Sequence, residues 1–127
     1  MDLSRLPESM RRNIEERFAR PPMETVSRFL GAHFNDAESF EEARSDLERL
    51  AQTNIRVHQE ALRALEIVIA DPPAEPNAIA RLVAWDANWG LDDESDAAAL
   101  GFLREVARML SAVIEQAPPG AQRWRWE

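Results

Sequence analysis

The chain has no cysteine and no lysine among its 127 residues. The absence of cysteine excludes disulfide bonds, thiolate nucleophiles and Cys-ligated metals. The longest apolar run, residues 67–70, is too short to cross a bilayer, and no apolar stretch near Met1 is typical of a signal peptide. We therefore expect a cytoplasmic protein that has no membrane partner.

Negative charge is confined to the middle of the chain. Residues 29–103 contain 15 Asp and Glu against 5 Arg, a net charge of −10, whereas the whole chain carries −8. Two segments inside this region, residues 35–48 and residues 83–102, each have a net charge of −5. Because a solvated helix face usually mixes both signs, we interpret these segments as docking surfaces for a basic partner. The alternative is an acidic surface that serves only solubility.

Apolar residues recur at helical spacing along most of the sequence. The predicted helices run from Pro7 to about Arg20, from Met23 to about Asn35, from Ser39 to about Gln52, from Thr53 to Asp71, from Pro76 to Gly90, and from Ser95 to Ala117. Ser39, Thr53 and Ser95 are the expected N-caps, and Ser39 with Glu42 forms a capping box. The sequence predicts an all-α fold, a single-domain bundle of five to six antiparallel helices over residues 1–127, with residues 118–127 as a flexible or back-packed tail.

The two histidines, His33 and His58, are the natural candidates for catalysis, but neither belongs to a His-Glu-x-x-His motif. His58 lies on an apolar stripe, which favours a core histidine with one hydrogen bond. Residues 86–94 resemble the start of a calcium loop, yet Leu91 and Ala97 occupy the positions that need Gly and Glu. We therefore predict no catalytic residue, metal or cofactor, and keep an enzyme using either histidine with a carboxylate as an alternative.

Tryptophan marks two further features. Trp85 and Trp89 are one helical turn apart and are expected to form a core pair, unless Trp89 is partly exposed and anchors an interface. The Arg-Trp-Arg-Trp sequence at 123–126 has residue types that stack on nucleic-acid bases. Since the whole chain is acidic and would be repelled by phosphates, we expect no nucleic-acid partner.

Residues 29–36, Phe-Leu-Gly-Ala-His-Phe-Asn-Asp, resemble a Leu-Gly-x-Tyr-Phe-His-Gln-Asp segment of the helical immunity proteins of contact-dependent growth inhibition systems. The following helix start at residues 39–43 and a late Gly-containing loop leading to Phe102 and Leu103 are similar to that family in order and spacing. His33 stands where the family has Tyr, and Phe102 where it has Trp. The resemblance implies a cytoplasmic protein that binds and blocks a cognate toxin domain, often a nuclease with a basic active-site cleft.

Charge and resemblance together predict a non-enzymatic immunity protein that occludes a basic region of its toxin. The residues expected to contact the toxin are Asp86, Trp89, Asp92, Asp93, Glu94 and Asp96, with a second patch of Asp36, Glu38, Glu41 and Glu42. For the acids at 92–96, stabilisation of the first turn of the last helix is the competing explanation. The competing function is a helical adaptor that binds a peptide or helix through an apolar groove.

Overall fold

The computed structural model describes residues 20–91, 93 and 95–122, and all regular structure in these residues is helical. Its elements are α1 (Pro22–His33), α2 (Phe40–Leu50), α3 (Arg56–Ala70), α4 (Ala78–Arg81), a π-helical turn (Leu82–Asp86), α5 (Asp96–Gln116) and α6 (Pro119–Gln122). The prediction of an all-α bundle is confirmed. The helix predicted from Pro7 lies outside the described residues except for Arg20, and the 123–127 sequence lies outside them entirely.

α1 follows its predicted apolar stripe. Pro22 occupies the first turn, where its missing N–H loses no helical partner. The buried face consists of Val26, Phe29 and Leu30. The helix closes at Phe34, whose N–H donates to the carbonyl of Leu30 at 2.9 Å, so the end agrees with the prediction to within two residues.

α2 begins at the predicted cap, although only half of the capping box forms. The Ser39 hydroxyl accepts a hydrogen bond from the Glu42 N–H at 3.1 Å. The Glu42 carboxylate accepts from the N–H of Glu38 at 3.2 Å, one residue before the cap, where a capping box would use the N–H of Ser39 itself. Ala43 and Leu47 are the buried residues of this helix.

α3 is separate from α2, as predicted, but it begins later than expected. A turn at residues 51–53 forms the break. Thr53 does not cap α3, because the N-cap position is Ile55 and no side chain caps it. Instead, the Asn54 side-chain oxygen accepts from the N–H of Arg56 at 3.2 Å. The prediction of a Thr53 cap was therefore wrong by two residues.

The helix predicted from Pro76 to Gly90 is shorter and less regular than expected. It begins with the four-residue α4 and continues as a π turn, in which the N–H of Ala87 donates to the carbonyl of Leu82, five residues earlier, at 3.2 Å. The chain then turns sharply at Asn88, which has a φ of 52°. Asn88 and not Gly90 ends the element, so Trp89 lies beyond the helix.

The expectation that Trp85 packs inside was also wrong. The inner face of this element consists of Ile79, Leu82 and Val83, all nearly inaccessible to solvent. At 100° per residue, Trp85 lies roughly 110° from the centre of that stripe, which directs it away from the core. Its side chain is 71% exposed.

α5 is the central helix and agrees with its prediction throughout. The Ser95 hydroxyl caps it by accepting from the N–H of Ala98 at 3.2 Å. The predicted stripe is buried at every position: Ala99, Leu103, Val106, Leu110, Val113 and Ala117. α5 packs against α2, α3 and α4, while α1 packs against α3 and the π turn. Ala121 of α6 is buried as well. No helix in the described part of the chain combines the length and apolarity needed to cross a membrane.

Candidate binding surface

Hydrogen bonds of two asparagine side chains join the end of α1 to the end of the π turn. The Asn35 side-chain amide donates to the backbone carbonyl of Asp86 at 3.3 Å, and the Asn88 amide donates to the backbone carbonyl of Asn35 at the same distance. Asp36 directly follows Asn35. The two acidic segments predicted as separate patches therefore meet in space, and we call Asn35, Asp36, Asp86 and Asn88 the acidic junction.

Arginine neutralises other carboxylates of the chain. The described ion pairs join Glu24 to Arg28, Glu48 to Arg44, Asp46 to Arg49 and Glu75 to Arg81, at 2.8 to 3.0 Å. In residues 20–91, 93 and 95–122, no arginine pairs with any of the acids predicted to bind a partner. Within the described residues these carboxylates are therefore not neutralised by arginine, although Glu42, Asp93 and Asp96 accept hydrogen bonds from their own backbone.

Asp96 has a structural task instead. Its two carboxylate oxygens accept hydrogen bonds from the backbone N–H groups of Asn77 at 2.8 Å and Ala80 at 2.9 Å. The bonds from Ala80 and Asn77 lower the pKa of the Asp96 carboxyl, since they stabilise its charged form. This carboxylate holds the start of α4 and faces its own backbone, so we give it less weight as a contact residue.

Asp93 and Glu42 likewise bind their own chain. The Asp93 carboxylate accepts from the Ser95 N–H at 2.9 Å, and this bond, with a further one from the Ser95 hydroxyl, lowers the pKa of Asp93. The predicted stabilisation of the start of the last helix thus applies to Asp93, whose partner Ser95 is the N-cap of α5, whereas Asp96 caps α4. Asp92 and Glu94 lie outside the described residues. Asp36, Glu38, Glu41 and Asp86 are the predicted acids whose carboxylates make no described hydrogen bond.

Trp89 packs inward on an aromatic cluster. Its indole stacks on the ring of Phe102, with centroids 5.5 Å apart, and meets the ring of Phe34 edge-on at 5.6 Å. Phe40 contacts both Phe34 and Phe102. Trp89 therefore packs against the core, as predicted, but it is only half-buried, and the exposed indole of the pair is Trp85.

Trp85 lines two shallow hollows. The first hollow, about 330 Å³, is bounded by Ala80, Ala84, Trp85, Trp89 and Leu91 among others. The second, about 310 Å³, is also lined by Trp85 and includes Met23, Leu82 and Asp86. Sequence reasoning missed this site, although the angular offset of Trp85 from its helix stripe was a usable signal.

Within the described part of the chain, neither histidine is hydrogen-bonded to a carboxylate. His58 is 2% exposed, and its Nε2 donates to the carbonyl of Leu47 at 2.9 Å, which confirms the predicted core role. His33 is half-buried against the ring of Phe29. Burial and the nearby His58 lower the pKa of His33, opposed by Asp46. Among the described residues, no three His, Asp or Glu side chains are grouped in a way that could hold a metal ion.

The chain matches no protein-family model, no curated protein and no solved structure with which it was compared.

Proposed function

We propose that this chain is a non-enzymatic immunity protein, which binds a basic bacterial toxin domain in the cytoplasm and blocks it by covering its active-site region. The observation that carries the proposal is the acidic junction, where two segments with a net charge of −5 each meet and where the carboxylates of Asp36 and Asp86 make no described ion pair. The resemblance of residues 29–36 to helical immunity proteins points to the same function.

The physical basis is electrostatic capture. Clustered carboxylates raise the local negative potential and can increase the association rate of a basic partner by about 10- to 1000-fold at low salt. A nuclease cleft that normally holds phosphates has complementary charge. Asp36, Glu38, Glu41 and Asp86 would then take the place of phosphate groups, and inhibition requires no chemistry from the inhibitor.

The adaptor alternative also has an observation in its favour. A groove of about 530 Å³ runs beside the aromatic cluster and is lined by Phe40, Trp89, Phe102, Arg104 and Arg108. A helix or peptide bound there by apolar contact would be held almost independently of salt. Ionic strength therefore separates the two functions, because electrostatic capture weakens steeply as salt rises.

The test uses the C-terminal domain of the protein encoded immediately upstream as the probe. Association rates are measured by surface plasmon resonance at several ionic strengths for the wild type and for the triple variant Asp36→Arg, Glu38→Arg, Asp86→Arg. We expect the variant to associate about 10- to 100-fold more slowly at low salt. Absence of wild-type binding to this domain, or an unchanged rate in the variant, contradicts the proposal.

A matched control separates local charge from net charge. The triple variant Glu66→Arg, Asp71→Arg, Glu115→Arg also reverses three exposed acids, each by two units, so both variants change the formal net charge from −8 to −2. Glu66 lies in the second half of α3, and Asp71 directly follows this helix. The opposite end of α3, its start, is the end that lies near the end of α1, because His58 is close enough to His33 to lower its pKa. The control should keep most of the wild-type rate, and circular dichroism should show both variants to be helical.

A further inference from the structure

Trp85 is the most exposed large apolar side chain among the described residues, and its position is fixed. It lies inside the π turn, in which Leu82 and Val83 are buried in the core. A single exposed apolar residue is ordinary, but an indole that lines two hollows presents a connected apolar surface. Tryptophan in such a setting is the residue type most enriched in binding hot spots.

The hollows can accept side chains because small residues form their walls. Ala80, Ala84, Gly90 and Ala99 line the first hollow together with Trp85 and Trp89. This hollow, which both indoles line, has a volume of about 330 Å³ and is large enough for an aliphatic or aromatic side chain. The shape of this hollow therefore selects an apolar group.

The charged residues around Trp85 indicate which second side chain an occupant should carry beside its apolar group. Arg81, which borders both hollows, is already paired with Glu75 at 2.8 Å. Asp86 borders the second hollow, and its carboxylate has no described partner. The charge that remains available beside the indole is negative, so a complementary occupant is cationic.

We propose that Trp85 is the anchor of a protein-binding site whose occupant is a segment of the partner with an apolar side chain next to an Arg or Lys. The apolar side chain enters the hollow lined by Trp85 and Trp89, while the cation lies over the exposed indole and pairs with the Asp86 carboxylate. Identification of the occupant as part of a toxin domain rests on the proposed function; the chemistry of the site does not.

The first experiment measures the partner interaction. For the upstream-encoded C-terminal domain, Trp85→Ala should raise Kd about tenfold or more, mainly through faster dissociation, and leave the salt dependence of the association rate intact. Ile67→Ala is the matched control, since Ile67 is an exposed apolar residue on α3 outside both hollows, and it should leave Kd unchanged. Wild-type binding with an unaltered Kd for Trp85→Ala overturns the anchor and leaves the proposed function standing.

The second experiment does not depend on the toxin. A capped peptide of alternating Arg and Leu is titrated into the ¹⁵N-labelled full chain, and the indole N–H signal of Trp85 is identified from its loss in Trp85→Phe. We expect this signal to shift with the Arg/Leu peptide but not with Glu/Leu or Arg/Ser peptides. An unmoved signal, or an equal shift with Glu/Leu, overturns the site. A shift specific to Arg/Leu supports it even if the upstream domain fails to bind, in which case the proposed function alone falls.

Discussion

The carboxylate of Asp96 accepts a hydrogen bond of 2.8 Å from the backbone N–H of Asn77, nineteen residues earlier in the chain. Asn77 has a φ of 66° and its own side chain does not cap α4, so the remote Asp96 serves as the cap of that short helix. A single carboxylate thus joins the starts of α4 and α5 and fixes one rim of the first hollow, which includes Asn77 and Ser95.

Asp96→Asn should lower the thermal unfolding midpoint at neutral pH, because the amide keeps only one acceptor oxygen and no charge. The pKa of Asp96 is lowered in the folded state, so its stabilising effect is complete above the unfolded pKa and is lost as pH falls through the folded pKa. The difference between wild type and variant should therefore shrink below about pH 4. Calorimetry across pH 2 to 7 checks this, with Asp71→Asn as the control; a difference that does not change with pH contradicts the capping role.

Ser39 and Thr53 provide a paired test of capping. Ser39 accepts a backbone hydrogen bond at the start of α2, whereas Thr53 caps no helix. Ser39→Ala should reduce the free energy of unfolding by about 1 kcal/mol. Thr53→Ala should change it by less than about 0.5 kcal/mol. Urea unfolding of the two variants measures both values, and similar losses would show that Ser39 is not acting as a cap.

Truncation of Phe34 should reduce stability far more than truncation of Trp85. Phe34 is fully buried and contacts Phe29, Phe40, Trp89 and Phe102. Phe34→Ala should cost about 3 to 5 kcal/mol of stability, because it leaves a cavity in this cluster. Trp85→Ala should cost less than about 0.5 kcal/mol. Denaturant unfolding compares the two, and a large loss for Trp85→Ala would mean that its indole has a structural task.

His33 should make the protein less stable in mild acid. Because burial and the nearby His58 lower the pKa of His33, the unfolded chain takes up the proton more readily than the folded chain. Stability contributed by neutral His33 is thus present above about pH 6.5 and declines as pH falls toward the folded pKa. His33→Gln should unfold with a weaker pH dependence between pH 5 and 7 in urea melts; an identical dependence in the variant would exclude this contribution.

Local signals in the sequence identified α1, α2 and α5 well. Their apolar stripes are long, and Ser39 and Ser95 act on amides only three residues away. The π turn was not predictable in this way, because it depends on Asn88 and on packing of Leu82 and Val83 against distant helices.

The candidate surface likewise has features that local sequence signals predicted and features that they did not. The sequence identified which segments are acidic but not that Asn35 would join them, since the Asn35 to Asp86 contact spans 51 residues. Nor did the sequence indicate that the Asp96 carboxylate accepts hydrogen bonds from backbone amides of α4, whereas the Asp86 carboxylate makes no described hydrogen bond. Both distinctions depend on long-range contacts that leave no periodic pattern.

The bond between Asn35 and Asp86 has a consequence for how the chain can be recognised. The surface combines two separate stretches of sequence, residues 35–36 and 86–88, so a synthetic fragment of either half would carry charge without the correct spacing. A partner that contacts both halves at once distinguishes the native chain from its unfolded or proteolysed forms. Under the proposed function, protection would therefore end when the protein unfolds, and the lifetime of the folded chain would set its duration.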